Sequence, residues 1–255
     1  MTITSADGTR IAVRRMGAGD PVVALHGSGG GLHSFAAVAE QIGDRYEVWG
    51  VARRGHAPSN TFEAEVADVA AVLAAAGPAH LLGASTGAIL ALHTALADPG
   101  AVRSLALFEP PLFACGPALL PVLERYRSLV SRGELAEAAM VYASEVARVP
   151  QPVLDMLASA GRPEPEEERR AAVGTLSDFE ALTADSGDVS RWSGLGVPTL
   201  LLQGTETWEP VPTSFEALAR ALPQAKRAAL DGQSHFAFST APALVADALL
   251  GFYSK

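Results

Sequence analysis

Cysteine and lysine are scarce in this chain of 255 residues. The single cysteine, Cys115, excludes an intramolecular disulfide framework and any metal site built from several cysteines. The only two lysines are Lys226 and Lys255, and the formal net charge is −9. Nucleic-acid binding requires clustered positive charge that displaces counterions from phosphates. The composition therefore argues against a nucleic-acid binder and, for the same reason, against a protein that binds an anionic membrane.

Long apolar runs are missing as well. Residues 1–19 lack the apolar core of a secretory signal, and no stretch approaches the roughly 20 uncharged apolar residues that span a bilayer. Hydrophobic residues nevertheless form 49% of the chain, which is enough to bury one sizeable core. We therefore expect a soluble, cytoplasmic protein that works in a reducing compartment.

Short apolar runs alternate with helical patterns along most of the chain. The pair Asp7-Gly8 favours a turn between the first two strands, and the run Pro21–Leu25 is typical of a strand buried on both faces. Strands are predicted at Thr2–Ser5, Arg10–Met16, Pro21–Leu25, Tyr46–Val51, Ala79–Leu82, Val102–Phe108, Val197–Leu202 and Ala225–Leu230. Helices are predicted at Thr61–Ala76, Thr86–Ala97, Pro212–Leu222 and Pro242–Phe252. The alternation indicates an α/β fold with a mostly parallel sheet flanked by helices.

The alternation stops between Pro111 and Ser193. Apolar residues recur there at helical spacing, as in the run from Leu119 to Leu129, and no convincing strand pattern is present. We predict a helical cap at 111–193, called the insertion below, within a core domain formed by 1–110 and 194–255. We expect this cap to act as a moving lid, and a rigid appendage is the alternative. The charged stretch at 162–170 is interpreted as a solvated loop and helix start.

The sequence GASTG at 83–87 matches G-x-S-x-G, a sharp turn from which the serine side chain projects. The pattern alone is weak, but an apolar strand precedes it and a helix follows it, as the motif requires. The N-terminus of that helix directs free N–H groups and partial positive charge toward the serine oxygen. These features predict a catalytic serine, and an ordinary glycine-serine turn is the alternative.

A glycine-rich loop, His26–Gly31, directly follows the buried strand. Glycines let backbone N–H groups approach a ligand oxygen without interference from a Cβ atom. A phosphate-binding loop is the alternative, but the segment lacks the Lys-Ser/Thr ending of a P-loop and the G-x-G-x-x-G spacing with its downstream acid. We interpret the loop as part of an oxyanion hole.

These motifs together resemble the α/β-hydrolase superfamily, and the resemblance covers nearly the whole chain. The glycine loop, the segment Val51–Ser59, the serine turn, the insertion and the sequence GQSH at 232–235 occur in the family's order. Within Val51–Ser59, Ala52 and Ala57 stand where the family has an acid and a second glycine. That departure affects a segment which we interpret as a turn.

The resemblance implies roles for particular residues. Ser85 matches the nucleophile and His235 the general base. The backbone N–H groups of Thr86 and of Ser28 or Gly29 match the oxyanion donors. The chemistry demands such a set, because a serine hydroxyl is a poor nucleophile until a base takes its proton and a tetrahedral oxyanion needs preorganised donors.

The triad acid departs from the family pattern. The family usually places the acid at the position of Thr207, which has no charge. We predict that Glu109 is the acid, because it follows the strand Val102–Phe108, some family members place the acid there, and the order nucleophile, acid, histidine is preserved. Pro110 is expected to bias Glu109 toward an extended backbone. The competing candidates are Glu206, Glu209 and Asp231.

The remaining histidines carry no comparable signal. We expect His26 to hold the glycine loop by hydrogen bonds. The others are His33, His56, His80 and His93. Neither H-x-x-x-H nor H-x-H spacing occurs, so no metal site is expected.

These features predict a cofactor-independent serine hydrolase that cleaves an ester, lactone or thioester of a small hydrophobic compound through an acyl-enzyme. His26, Phe113, Trp208 and Phe236 are expected to line an apolar substrate pocket. The fold does not determine the reaction. Acyl transfer, cyclisation or lyase chemistry on the same triad, and a ligand-binding receptor with little turnover, therefore stay open. The only partner expected is the small-molecule substrate.

Overall fold

The computed structural model describes residues 1–54, 60–159 and 164–254. Eight strands in these residues form one sheet. The strands are β1 (Thr2–Thr4), β2 (Arg10–Met16), β3 (Asp20–Leu25), β4 (Tyr46–Val51), β5 (Ala79–Ala84), β6 (Val102–Phe108), β7 (Thr199–Gly204) and β8 (Lys226–Leu230). Their order across the sheet is β1-β2-β4-β3-β5-β6-β7-β8.

The sheet is mostly parallel. β1 pairs with β2, and β2 with β4, in antiparallel fashion, whereas every other neighbouring pair is parallel. The predicted fold class is therefore confirmed. β6 and β7 are neighbours, with Leu105 opposite Thr199. Because parallel strands end at the same edge of a sheet, the segments that follow β3, β5, β6, β7 and β8 meet at one edge.

Helices cover both faces of the sheet. They are α1 (Ala36–Ile42), α2 (Phe62–Ala76), α3 (Thr86–Ala97), α4 (Leu120–Arg132), α5 (Leu135–Val141), α6 (Gln151–Ser159), α7 (Pro165–Ala184), α8 (Val211–Ala221), α9 (Ala237–Thr240) and α10 (Pro242–Tyr253). Successive side chains of β3 point to opposite faces of the sheet, as the period of a strand requires. Val23 and Leu25 join the core that contains α2 and α3, whereas Val22 and Ala24 join the core that contains α1 and α10. None of the described helices combines the length and the apolar character needed to cross a membrane.

Several predicted element boundaries need correction. α1 is missing from the prediction, because a helix of seven residues with three buried positions produces too little periodicity to recognise. Thr61 caps α2 rather than starting it, since its hydroxyl accepts the Ala64 N–H at 3.2 Å. β5 continues past Leu82, because Gly83 and Ala84 still pair with β6.

The insertion is helical in the part that the structure describes. It contains α4 to α7 and a π-helical turn at Tyr142–Val146, and its described residues include no strand. α4 packs against α5 and α7 and buries Leu123, Tyr126 and Leu129, which belong to the apolar pattern in the sequence. α7 begins at Pro165, inside the charged stretch, of which residues 162 and 163 lie outside the described residues.

Candidate active site

Ser85 occupies a sharp turn between β5 and α3. Its φ is +54° and its ψ is −125°, a backbone conformation that residues with side chains rarely adopt. Close packing holds the turn, because a Cβ atom on Gly87 would lie 2.1 Å from the carbonyl oxygen of Leu25, and one on Gly83 would lie 2.5 Å from Cα of Ala88. The two glycines therefore let α3 approach the sheet closely, and this approach fixes the serine at the edge where the parallel strands end.

A histidine-carboxylate pair lies at the same edge. Oε2 of Glu109, which is fully buried, lies 2.5 Å from Nδ1 of His235. The Gly204 N–H donates to Oε1 at 2.8 Å, and the Thr207 hydroxyl donates to Oε2 at 3.1 Å. Because a carboxylate only accepts hydrogen bonds, Nδ1 of His235 carries the proton and Nε2 is left as the basic nitrogen. A general base requires this tautomer.

The competing acids lie elsewhere. Glu206, Glu209 and Asp231 are exposed, and the Glu209 carboxylate accepts the Thr213 hydroxyl. Thr207, which stands where the family usually has its acid, contributes a hydroxyl to the Glu109 carboxylate instead. The arrangement favours Glu109 over the other three candidates, and its role in the triad stays a prediction.

The extended backbone expected at Glu109 is wrong. Its φ is +46°, in the left-handed region. The preference that Pro110 imposes is overridden by the buried hydrogen bonds that hold the carboxylate between β7 and His235. Among the described residues, the non-glycine residues with positive φ are Ser85, Glu109 and Arg148. Two of these three lie in this site, and backbone strain of this kind concentrates at functional sites.

A cavity of about 420 Å³ opens at this edge and is lined by both Ser85 and His235. All four residues predicted for the pocket line it, namely His26, Phe113, Trp208 and Phe236. Four further aromatic side chains also line it, namely Phe35, Phe108, Tyr142 and Phe238. Among the described residues, no lysine, arginine, aspartate or glutamate lines the cavity. In the described ranges no hydrogen bond joins the Ser85 hydroxyl to the His235 ring, although both residues line this cavity.

The glycine loop brings Ser28 to this cavity. Ser28 Oγ lies 2.9 Å from Oγ1 of Thr86, the first residue of α3. Gly29 is exposed and faces α7, since a Cβ atom on it would lie 3.6 Å from the Thr175 hydroxyl. The geometry therefore favours Ser28 over Gly29 as the candidate oxyanion donor beside Thr86.

His26 is buried at the base of the glycine loop. Burial, reinforced by the positive charge of Arg53, lowers the pKa of His26 from 6.5 to about 4, so the ring is neutral at pH 7. Nδ1 donates to the carbonyl oxygen of Gly27 at 2.8 Å, and Nε2 accepts the Arg53 N–H at 3.3 Å. His26 therefore makes the loop hydrogen bonds that the sequence led us to expect.

Sequence reasoning missed a buried charge cluster below the loop. The Arg53 guanidinium donates to both oxygens of Glu65 at 2.9 Å and to Asp178 Oδ1 at 2.6 Å. All three side chains are at most 4% exposed. Burial raises the pKa of Glu65 and of Asp178, and the charge of Arg53 opposes this shift. The available signal was an acid at position 178, between the apolar residues Leu176 and Phe179 of α7.

The described part of the candidate Val51–Ser59 turn includes Arg53, whereas residues 55–59, with His56, lie outside the described residues. The described histidines outside the site have structural contacts. His93 Nε2 lies 2.8 Å from Asp185, and His80 Nδ1 lies 2.8 Å from the Ser104 hydroxyl. In the same described ranges, no three His, Cys, Asp or Glu side chains are grouped so that they could hold a metal ion.

The family follows from comparison with known proteins. The model of the alpha/beta hydrolase family matches residues 22–248. This match covers most of the chain, so the protein belongs to the alpha/beta hydrolase family. It is an enzyme of the hydrolase class.

Three relatives illustrate the similarity. A pimeloyl-acyl-carrier-protein methyl ester esterase from Chromobacterium violaceum is 43% identical over 100 residues, which are 37% of this chain and 39% of that protein. A protein named "Putative carbamate hydrolase RutD" from Azorhizobium caulinodans is 30% identical over 250 residues, which are 92% of each chain. The crystal structure of an alpha/beta hydrolase from Sphaerobacter thermophilus has a TM-score of 0.86 at 28% identity, and the match covers 99% of this chain and 100% of that one.

Proposed function

We propose that this enzyme is a cofactor-independent serine hydrolase that cleaves an ester, lactone or thioester of a small hydrophobic compound through an acyl-enzyme. One observation carries the proposal. The strained Ser85 turn and the Glu109–His235 pair meet at one edge of the sheet, and Ser85 and His235 line the same cavity. This set matches the demands of acyl transfer, namely a nucleophile, a base and a group that orients the base.

Acylation begins with attack by the Ser85 oxygen on the carbonyl carbon of the substrate, while Nε2 of His235 takes the hydroxyl proton. The carbonyl oxygen becomes an oxyanion, which the backbone N–H groups of Thr86 and Ser28 stabilise. The tetrahedral intermediate then collapses, and the bond from the carbonyl carbon to the leaving oxygen or sulfur breaks. His235 returns its proton to that leaving group, which departs as an alcohol or thiol or, in the case of a lactone, stays on the acyl chain as a hydroxyl.

Deacylation repeats these steps with water. His235 takes a proton from a water molecule, whose oxygen attacks the acyl carbon. Collapse of the second intermediate releases the carboxylic acid and returns the proton to Ser85. In both halves the imidazole becomes an imidazolium, and the buried Glu109 carboxylate supplies the negative charge that stabilises it.

The cavity supports a small and apolar substrate. Its volume of about 420 Å³ suits a compact molecule, and six phenylalanine and tryptophan side chains line it. Esters, lactones and thioesters are neutral at the reacting carbonyl, so they suit a lining without charged side chains. The names of two relatives, a methyl ester esterase and a carbamate hydrolase, support hydrolysis at an acyl carbon.

The experiment combines covalent labelling with turnover. A fluorophosphonate probe should add one adduct to the parent protein by intact-mass analysis and none to Ser85→Ala. Hydrolysis of p-nitrophenyl butyrate should fall by about 10⁴- to 10⁶-fold in Ser85→Ala. Ser131→Ala, an exposed serine of α4, is the matched control and should keep parental turnover. Equal labelling of the parent and Ser85→Ala would refute the proposal, and tight ligand binding without turnover would favour a receptor.

A further inference from the structure

A hydrogen-bonded cluster joins the glycine loop to the insertion. Ser28 Oγ lies 2.9 Å from the hydroxyl of Tyr142, which opens the π-helical turn, and 2.9 Å from that of Thr86. The π-helical turn of the insertion therefore reaches the residue whose backbone N–H is the candidate oxyanion donor.

Ser28 Oγ has two hydroxyl partners in this cluster. It lies 2.9 Å from the hydroxyl oxygens of both Tyr142 and Thr86, and either atom of each pair can be the donor. A serine hydroxyl has one proton and two lone pairs, so it can bond to both partners at once. The Ser28 side chain is therefore held between α3 and the π-helical turn.

The loop is also held at its other end. The Arg53 guanidinium donates to the backbone carbonyl oxygen of His26 at 3.0 Å. One buried arginine thus fixes the His26 carbonyl, and the hydroxyls of Tyr142 and Thr86 hold the Ser28 side chain. The chain between these two points carries the Ser28 N–H, so its direction depends on both.

Tyr142 is the member of this cluster whose hydroxyl can be removed while its ring is kept. Its side chain lines the same cavity as Ser85, and burial raises its pKa to about 12, so the hydroxyl keeps its proton at neutral pH. The residue lies in a single π-helical turn, a feature that is rare and often found at functional sites. An apolar ring would fill the same space but would leave Ser28 Oγ without one of its two hydroxyl partners.

We propose that Tyr142 is a positioning residue for the oxyanion site, and that its hydroxyl aims the Ser28 N–H by holding the Ser28 side chain. This inference rests on the proposed serine hydrolase. Preorganised donors stabilise the transition state, where the oxyanion exists, more than they stabilise the ground state. The loss of the Tyr142 hydroxyl therefore lowers kcat more than it changes KM.

The test compares two phenylalanine variants. Tyr142→Phe removes the hydroxyl that contacts Ser28, whereas Tyr126→Phe removes a buried hydroxyl of α4 that donates to Ala172 O at 3.0 Å. The Tyr126 ring contacts the Tyr142 ring, but Tyr126 does not line the cavity. With p-nitrophenyl butyrate, kcat should fall roughly tenfold in Tyr142→Phe, a fraction of the 10²- to 10³-fold lost with a whole donor, and KM should stay within about twofold. Tyr126→Phe should keep both values.

Two further readouts separate positioning from a structural role. The Ki of 1-butaneboronic acid, which forms a tetrahedral adduct with a serine, should rise in Tyr142→Phe by the same factor as kcat/KM falls. Ser28→Ala keeps the N–H and loses the hydroxyl through which Tyr142 acts. The double variant of positions 28 and 142 should therefore be no slower than Ser28→Ala alone.

Three outcomes would overturn the inference. These are a parental kcat in Tyr142→Phe, a changed KM with an unchanged boronate Ki, and multiplied losses in the double variant. If Tyr142→Phe does not fold, a parental kcat in Ser28→Ala overturns it equally, because the Ser28 hydroxyl is the required link. Failure of the proposed function is distinct, because it would appear as turnover that persists in Ser85→Ala.

Discussion

Oε2 of Glu109 lies 2.5 Å from Nδ1 of His235, although 126 positions separate the two residues in the chain. The strand order produces this contact, because β6, β7 and β8 are parallel neighbours whose ends share one edge. The N–H at the end of β7, on Gly204, completes the environment of the carboxylate. An acid that follows β6 can therefore serve a histidine that follows β8.

Glu109→Gln should lower kcat on the order of 10³- to 10⁴-fold while the protein stays folded. The amide can still accept the Gly204 N–H, but it has no charge to stabilise the imidazolium and can select the wrong tautomer of His235. Steady-state kinetics with p-nitrophenyl butyrate, together with thermal unfolding, measure the two effects separately.

Glu206→Gln and Glu209→Gln are the matched controls, because both carboxylates are exposed near the usual family position. Each should keep turnover within about twofold of the parent. Near-parental activity in Glu109→Gln, with a collapse in either control, would move the triad acid to that control position.

Gly204→Ala should destabilise the protein and reduce its activity together. A Cβ atom at Gly204 would lie 2.1 Å from the carbonyl oxygen of Gln233, so the backbone before His235 must shift. We expect the free energy of unfolding to fall by about 1–3 kcal/mol. Gly251→Ala in α10 is the control, because its Cβ would meet nothing within 4 Å. It should raise that free energy by about 0.5–1 kcal/mol. Equal shifts of the denaturant midpoint in Gly204→Ala and Gly251→Ala would contradict this prediction.

His26 should make the stability of the protein depend on pH. Its pKa is about 4 in the folded chain and 6.5 ordinarily, so the unfolded chain binds the proton first as the pH falls. The stabilisation from neutral His26 is complete above pH 6.5 and is lost progressively toward pH 4, by about 3 kcal/mol in total.

The measurement compares the parent with His26→Gln by urea unfolding at pH 7.5, 6, 5 and 4. The acid groups of the Arg53 cluster are common to both proteins, so the difference between the two unfolding free energies isolates His26. The parent should lose stability relative to the variant as the pH falls. A difference that stays constant across this range would mean that the His26 ring is not held neutral.

The sequence predicts most of this fold because each long strand or helix has an apolar pattern that can be recognised on its own. β6 lies at Val102–Phe108, where its apolar run predicts it, and the turn at Ser85 joins a strand to a helix as the motif requires. Short elements such as α1 are lost, because seven residues contain fewer than two full helical turns of pattern.

The candidate site likewise contains some residues that the sequence predicts and others that it does not. Ser85 and Glu109 directly follow β5 and β6, and His235 lies in the loop after β8, so motif and strand order could predict their positions. Arg53 and Asp178 come from distant segments that meet only in the folded core. No spacing along the chain predicts that contact. The φ of Glu109 was mispredicted for a related reason, because buried tertiary hydrogen bonds outweighed the local preference.

Hydrogen exchange should distinguish the helices of the insertion. α6 buries only Leu154 and leaves Met156 and Leu157 exposed, whereas α7 buries eight residues, including Asp178 bound to Arg53. Amide exchange depends on the free energy of local opening, which grows with buried contacts. The amides of α6 should therefore exchange faster than those of α7 under native conditions.

A covalent phosphonate at Ser85 should slow exchange in α6 more than in α7. Leu157 lines the cavity, so a ligand that fills the cavity gains contacts with α6 and stabilises its closed position. A lid requires both properties, low protection when the site is empty and higher protection when it is filled. Protection in α6 equal to that in β5, unchanged by the phosphonate, would identify the insertion as a rigid appendage. The same result would require substrate to enter through an opening already present in the folded protein.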